Sequence, residues 1–129
     1  MADNPKILIV EDQPEIRALM AFILTRAGCE VQSARNGRDG MQLARQPDID
    51  LILLDVDLPD ISGFEICRRL KADPDVCRIP VIFVTGRFCE ESRRHGLALG
   101  AADYIDKPFD VPQFVRRVLF HAGSARAKV

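Results

Sequence analysis

LILLDVDLPD, residues 51–60, sends four aliphatic residues into Asp55, Asp57 and Asp60, with Pro59 just before the last. An uninterrupted apolar tetrad marks a strand covered on both faces, as in a parallel sheet, rather than one that shows a face to water. Such a run ordinarily ends in a single turn residue that satisfies the backbone, and one aspartate suffices for that. Three acids at the end of one buried strand need a further reason.

Outward from this strand the chain alternates short β-branched runs with longer segments of helical period, which predicts five strand–helix units and an α/β fold around a parallel sheet. Lys6–Val10 is the first strand, and Ile16, Leu19, Met20, Ile23 and Ala27 form the apolar stripe of a helix that stops at Gly28. Cys29–Ala34 alternates as a second strand nearer an edge. Arg38–Arg45, with Met41 and Ala44 inward, makes a short helix closed by Pro47. After Leu51–Leu54, Ser62-x-x-Glu65 reads as a capping box opening a helix through Phe64, Ile66, Cys67 and Leu70 that ends before Pro74. Pro80 introduces Val81–Val84 as strand four, and a helix runs from about Glu90 to Leu99 before Gly100. Asp103–Asp106 is strand five, and Val111, Phe114, Val115, Val118 and Ala122 lie on one face of a last helix.

At 129 residues the chain fits one domain that buries roughly two thirds of its unfolded surface. The expected core covers about 5–122, with 123–129 a flexible tail or the start of a linker. Eighteen basic against 19 acidic residues give no field that steers the chain to nucleic acid or an anionic membrane, so neither is expected as a direct partner. No apolar run approaches the roughly 20 residues that span a bilayer, and MADNPK has no signal-peptide core, so a cytoplasmic location is expected. Cys29, Cys67, Cys77 and Cys89 lie too far apart for a zinc or redox motif and read as small buried hydrophobes. His95 and His121 are single and unaccompanied, and read as surface residues.

In an open parallel sheet, ligands bind beyond the carboxyl ends of the strands. Glu11 and Asp12 follow strand one, Asp55 and Asp57 strand three, Thr85 strand four and Lys107 strand five, so four distant segments deliver chemistry to one edge. Taken singly, Asp12 could cap a helix, Asp57 hold a turn, Thr85 start a loop and Lys107 sit in solvent. None of these readings explains their common arrival at strand ends.

Two carboxylates about 4 Å apart repel by about 4 kcal/mol at an effective dielectric of about 20, so a pocket with three or four of them needs a cation or a proton. Lys107 neutralises one charge. The remainder suits a hard divalent ion with oxygen ligands, and Mg²⁺ matches. A metal beside a carboxylate, a lysine and a hydroxyl makes a site for phosphoryl transfer to an aspartate, and Asp55, mounted on the most buried strand, is the natural acceptor.

The pattern Glu11-Asp12, then Asp55-Val56-Asp57-Leu58-Pro59 with Gly63, then Thr85-Gly86, then Lys107-Pro108-Phe109 resembles the receiver domain of bacterial two-component response regulators, of the chemotaxis-regulator type. The resemblance covers about residues 5–122. It implies a doubly wound, flavodoxin-like (βα)5 fold of strand order 2-1-3-4-5. It also implies that Asp55 takes phosphate from a sensor histidine kinase or phosphotransfer protein, and that Asp12, Asp55 and the backbone carbonyl of Asp57 ligate Mg²⁺, with Glu11 acting through water. Thr85 and Lys107 are then expected to grip the phosphoryl group, and the Lys107–Pro108 bond to be cis. Thr85 and Tyr104 form the implied switch: the threonine moves toward the phosphate, the tyrosine turns inward, and the face of helix four, strand five and helix five changes shape. Arg93, Arg94 and Arg116 share that face, which docks a downstream protein, an output domain or a second copy. Leu58 and Gly86 depart from the residues common there. Gly86 is expected to open the pocket mouth, with Asp57 and Arg87 beside it tuning how water reaches the acyl phosphate. Asp60 reads as turn chemistry alone.

Two alternatives stay open at this stage. Asp55-Val56-Asp57 also looks like the Asp-x-Asp of haloacid dehalogenase-type phosphatases, although Glu11 and Asp12 come upstream of it. A phosphorylation-independent pseudo-receiver is the other. In neither receiver reading is the chain an enzyme beyond its own phosphorylation and dephosphorylation. Residues 64–74 are of a kind seen in receivers of hybrid kinases and cyclase regulators, so both a stand-alone receiver and a domain of a longer regulator fit the sequence.

Overall fold

Each central strand is apolar on both faces, and the architecture follows from that. The computed structural model describes residues 4–87 and 89–127. Strands β1 (Lys6–Val10), β2 (Glu30–Ala34), β3 (Leu51–Leu54), β4 (Val81–Thr85) and β5 (Asp103–Asp106) form one parallel sheet in the order β2-β1-β3-β4-β5. Between and after them run α1 (Pro14–Arg26), α2 (Gly37–Leu43), α3 (Gly63–Ala72), α4 (Glu90–Ala98) and α5 (Val111–Ala127). This is the doubly wound fold expected, with the strand order reversing direction between β1 and β3.

Side chains alternate across the sheet with period two. Ile7, Ile9, Leu51, Leu53, Ile82, Val84 and Ile105 pack against Met20 and Leu24 of α1 and Phe114, Val118 and Ala122 of α5. The intervening Leu8, Val10, Ile52, Leu54, Val81, Phe83 and Tyr104 pack against Ile66, Cys67 and Leu70 of α3. α4 closes on that same layer where Gly96 lies against Phe83 and Tyr104. Positive φ values, 96° at Gly28 and 105° at Gly100, end α1 and α4 in the left-handed conformation that glycine adopts without strain.

Several local expectations are corrected. In α1 the buried residues are Met20 and Leu24, while Leu19 is 48% exposed because it lies about 100° round the helix from Met20. Ser62 does cap α3, but its hydroxyl accepts from Phe64 N at 3.2 Å and the box does not close. Glu65 instead pairs with Arg68 at 2.6 Å and Arg69 at 2.8 Å, which hold its carboxyl at about 2. Cys29 and Cys67 are buried, and burial pushes both thiols up, but Cys77 and Cys89 sit in exposed loops and pack no core. The helix α5 extends to Ala127, so the expected tail from 123 overlaps its end. The remaining tail residues, 128 and 129, lie outside the described residues.

Candidate functional site

The polar residues at the strand ends are held by the same ladder that builds the sheet. Asp55 N donates to the Val10 carbonyl at 3.1 Å, and Glu11 N to the Ala34 carbonyl at 3.0 Å, so the first residue beyond β1 and the first beyond β3 have fixed backbones. Arg17, one turn into α1, donates from Nη1 to the Glu11 carbonyl at 2.8 Å and the Asp12 carbonyl at 3.4 Å. Lys107 N donates to the Thr85 carbonyl at 2.9 Å, which places the lysine beside the end of β4. The Lys107–Pro108 bond is cis.

Behind Asp55 the backbone leaves no room for a side chain. Gly63 N donates to the Val56 carbonyl at 2.8 Å, and a Cβ on Gly63 would stand 2.1 Å from the Asp55 carbonyl oxygen. The start of α3 therefore closes directly on the Asp55 peptide only because residue 63 is glycine.

Glu11, Asp12 and Asp55 each offer a carboxylate oxygen, and the three oxygens lie within 4.8 Å of one another. Glu11 is fully buried and Asp55 nearly so, while Asp12 stands closer to solvent. Lys107 Nζ reaches Glu11 Oε1 at 2.8 Å and Asp55 Oδ2 at 3.1 Å. Burial pushes the Glu11 carboxyl up; the Lys107 hydrogen bond opposes this and the nearby Asp55 charge adds to it. Burial works against the Lys107 charge, yet the hydrogen bond to Glu11 and the charges of Asp55 and Glu11 hold the ammonium above its ordinary value. Among the described residues one cation, Lys107, reaches into this cluster of three carboxyls. A hard, oxygen-only donor set with surplus negative charge fits a divalent ion of the Mg²⁺ type.

Thr85 is fully buried and its Oγ1 accepts from Arg87 N at 3.3 Å. Asp57 N donates to Asp55 Oδ1 at 3.3 Å, while its carboxylate leaves the cluster and pairs with Arg87 at 2.8 Å. Both residues line a cleft of about 540 Å³ together with Asp12, Val56, Leu58, Pro59, Ser62 and Phe64. Gly86 is exposed and a Cβ there would meet nothing within 4 Å, so no contact of this site demands a glycine. Tyr104 is already inward and buried, its hydroxyl donating to the Arg87 carbonyl at 2.5 Å. The Tyr104 carbonyl accepts from Arg93 of α4 and Arg117 of α5, each at 3.2 Å.

Asp60 and His121 depart from their expected readings. Asp60 does more than make a turn: its carboxylate accepts from Gly37 N at 2.8 Å and Arg38 N at 2.9 Å, capping α2 from the β3–α3 loop. Burial, the largest single influence, pushes its pKa up, but the backbone N–H bonds from Gly37, Arg38 and Ile61 together outweigh it and keep the value below the usual carboxylate one. His121 is not a surface residue but half-buried against Asp103, with 3.2 Å between Nε2 and Oδ2. His95 is exposed as expected, with its ring edge-on to Phe64. Asp60 and Arg117 carry no local sequence signal for these roles, because α2 and β5 supply their partners; the carbonyls that Arg17 holds lie five and six residues upstream, in the loop before α1.

A family model described as the response regulator receiver domain matches residues 7–119. The DNA-binding dual master transcriptional regulator RpaA of a Synechocystis species is 42% identical over 114 residues, 88% of this chain and 47% of that protein. Protein PilH of Pseudomonas aeruginosa is 37% identical over 113 residues, 88% of this chain and 93% of that one. The crystal structure of the receiver domain of a P. aeruginosa sensor histidine kinase, with a magnesium ion in its active site cleft, has a TM-score of 0.85 at 28% identity. The match covers 94% of this chain and 99% of that one. The chain spans about half or less of the length of the first curated relatives it matches.

Proposed function

The chain belongs to the response regulator receiver domain family, and from that premise we propose that it is a phosphorelay receiver whose Asp55 accepts a phosphoryl group from the phosphohistidine of a sensor histidine kinase or phosphotransfer protein. The observation that carries this reading is the junction of Lys107 with both Glu11 and Asp55 inside a cluster of three carboxyls. In the transfer, an Asp55 carboxylate oxygen forms the new P–O bond as the P–N bond to the donor imidazole breaks. Asp57 N–H and Lys107 Nζ orient the carboxylate by holding one oxygen each. Asp12, Asp55 and the Asp57 carbonyl, with Glu11 through water, would hold Mg²⁺, which would supply positive charge against the phosphoryl oxygens. Lys107 adds a fixed charge of the same sign, and the Thr85 hydroxyl a hydrogen bond.

The switch then begins at Thr85. Drawing its hydroxyl toward the phosphoryl group releases Arg87 N–H, and Arg87 is the residue whose carbonyl holds the Tyr104 hydroxyl. Because Arg93 and Arg117 both grip the Tyr104 carbonyl, a shift there is shared by α4, β5 and α5. That face, with Arg94 and Arg116 exposed on it, docks a downstream protein, an output domain or a second copy. The chain turns over only its own phosphoryl group, and works in the cytoplasm. No helix among the described residues is long and apolar enough to cross a membrane.

The phosphatase and pseudo-receiver readings are not favoured, since the family match spans most of the chain and the acidic cluster is intact. Labelling with radioactive acetyl phosphate and Mg²⁺ tests the proposal. Wild type should take up label and Asp55→Ala should not; an unlabelled wild type favours the pseudo-receiver, and steady hydrolysis of phosphate monoesters, lost in Asp57→Asn, favours the phosphatase.

A further inference from the structure

The edge of the sheet farthest from β5 carries a second concavity, larger than the cleft beside Asp57. The carboxyl end of edge strand β2, with α1 and α2, encloses about 760 Å³. Small-molecule sites generally occupy about 300–1,000 Å³. The lining sets apolar Ala34 and Leu43 among polar side chains and carries a net positive charge: Arg17 from α1, Ser33 and Arg35 at the end of β2, and Asp39, Gln42 and Gln46 from α2 and the turn after it.

The arginines differ in what they have left to offer. Arg45, also on the rim, is neutralised by Asp73 and Asp75. Arg17 commits one nitrogen to the Glu11 and Asp12 carbonyls, and a guanidinium carries five N–H donors in all. Arg35 is exposed and makes no hydrogen bond or ion pair among the described residues. Two forked cations with spare donors suit a phosphate, which takes paired N–H donors better than it takes a point charge. The opposite wall offers an acceptor-only carboxylate at Asp39 and two side-chain amides, which suit hydroxyl groups. Among the described residues no aromatic ring lines the groove, so a nucleobase finds no stacking partner there.

We propose that this groove binds a phosphorylated polyol of the sugar phosphate class, with Arg17 and Arg35 on the phosphate and Ser33, Asp39, Gln42 and Gln46 on the hydroxyls. The site is separate from the acid cluster, which lies at the ends of β1 and β3 and repels anions when it holds no cation. Through Arg17 the groove shares a side chain with the backbone of Glu11 and Asp12.

The test is a titration of the metal-free chain, in chelator, with ribose 5-phosphate, followed by backbone amide shifts in two-dimensional NMR. Saturable shifts confined to Arg17 and residues 33–46 are expected, with an affinity of about 1 mM, weakened about tenfold in Arg35→Gln through the loss of one charged donor. Arg35 is exposed, so the variant should keep its fold; Gln42→Ala is a second variant expected to weaken binding. Inorganic phosphate should shift the same amides more weakly. Absent or unsaturable shifts, shifts unchanged in Arg35→Gln, or equal affinity for inorganic phosphate would overturn the proposal. Tighter binding of adenosine monophosphate than of ribose 5-phosphate would overturn the sugar phosphate assignment in favour of a nucleotide.

Discussion

Arg87 closes an ion pair on Asp57, 30 positions away in the chain, with Nη2 2.8 Å and Nε 2.9 Å from the same carboxylate oxygen. Both side chains are more than half exposed, at 54% and 58%, so the pair adds little to fold stability: exposed pairs are generally worth about 0–1 kcal/mol. We propose that this pair, on the wall of the cleft next to Asp55, bars the route by which water would reach a phosphorylated Asp55. Asp57→Ala and Arg87→Ala should each speed decay of the labelled protein several-fold while leaving uptake intact. The double variant should decay no faster than the quicker single one, since both remove the same bar. Unchanged decay in both single variants would count against it.

Asp55 is a residue the fold would be steadier without. Its charge stands among two other carboxyls and, among the described residues, only Lys107 pairs with the cluster, so Asp55→Asn should raise metal-free stability by about 1 kcal/mol through relief of like-charge repulsion. Adding Mg²⁺ should narrow the gap, because an ion that binds the folded wild type more tightly than the variant stabilises the wild type more. Urea midpoints of both proteins in chelator and in excess Mg²⁺ measure this directly.

Gly63 fixes how closely α3 approaches Asp55. With a Cβ 2.1 Å from the Asp55 carbonyl oxygen, Gly63→Ala cannot be absorbed by a flexible side chain; backbone has to move. The expected cost is about 2 kcal/mol or more, as for an overpacked core site, together with weaker Mg²⁺ binding. Retention of wild-type stability and Mg²⁺ affinity would show that α3 can shift without disturbing Asp55.

Asp60 ties the loop after β3 to the first turn of α2, where Asn36 supplies a second cap by accepting from Asp39 N at 2.8 Å. Asp60→Ala should cost about 1 kcal/mol, the usual worth of a capping side chain. Faster hydrogen exchange at Gly37 and Arg38, with little change in α3, would locate the loss.

These cases show where the sequence was legible and where it was not. Glu11, Asp12, Asp55, Thr85 and Lys107 could be found because a parallel sheet brings strand ends to one edge whatever the intervening loops do, and period and polarity alone locate strand ends. The cap from Asp60 to α2 could not, since it depends on how two loops 22 and 23 residues apart meet in space. The Asp57–Arg87 pair was half legible: both residues could be placed near the pocket, but not their mutual grip. Leu19 was misplaced for a different reason, because a stripe wide enough to include it also skirts the helix boundary with solvent, and only the packing of α1 on β1 selects Met20 and Leu24.

Asp103 joins β5 to α5 and gives this junction a measurable dependence on acid. Its carboxylate bonds Arg117 through Nε at 2.9 Å and through Nη2, and also faces His121, while Arg117 Nη2 reaches on to the Tyr104 carbonyl. Burial alone would raise the Asp103 pKa, but the Arg117 hydrogen bonds, the Tyr104 N–H and the Arg117 charge more than offset it, and the value lies below the ordinary one. A carboxyl with a depressed folded pKa contributes stability that is fully present above the unfolded value of about 4 and is lost as pH falls through the folded one. Asp103→Asn should therefore cost about 1 kcal/mol at neutral pH, a figure kept small because Arg117 is one-third exposed. That cost should shrink below about pH 4 and disappear once wild-type Asp103 is itself protonated. Paired urea titrations of the two proteins across this range isolate the one carboxyl from all the others that titrate in acid. A difference that persists undiminished at the acid end would mean that the pair holds α5 by shape rather than by charge.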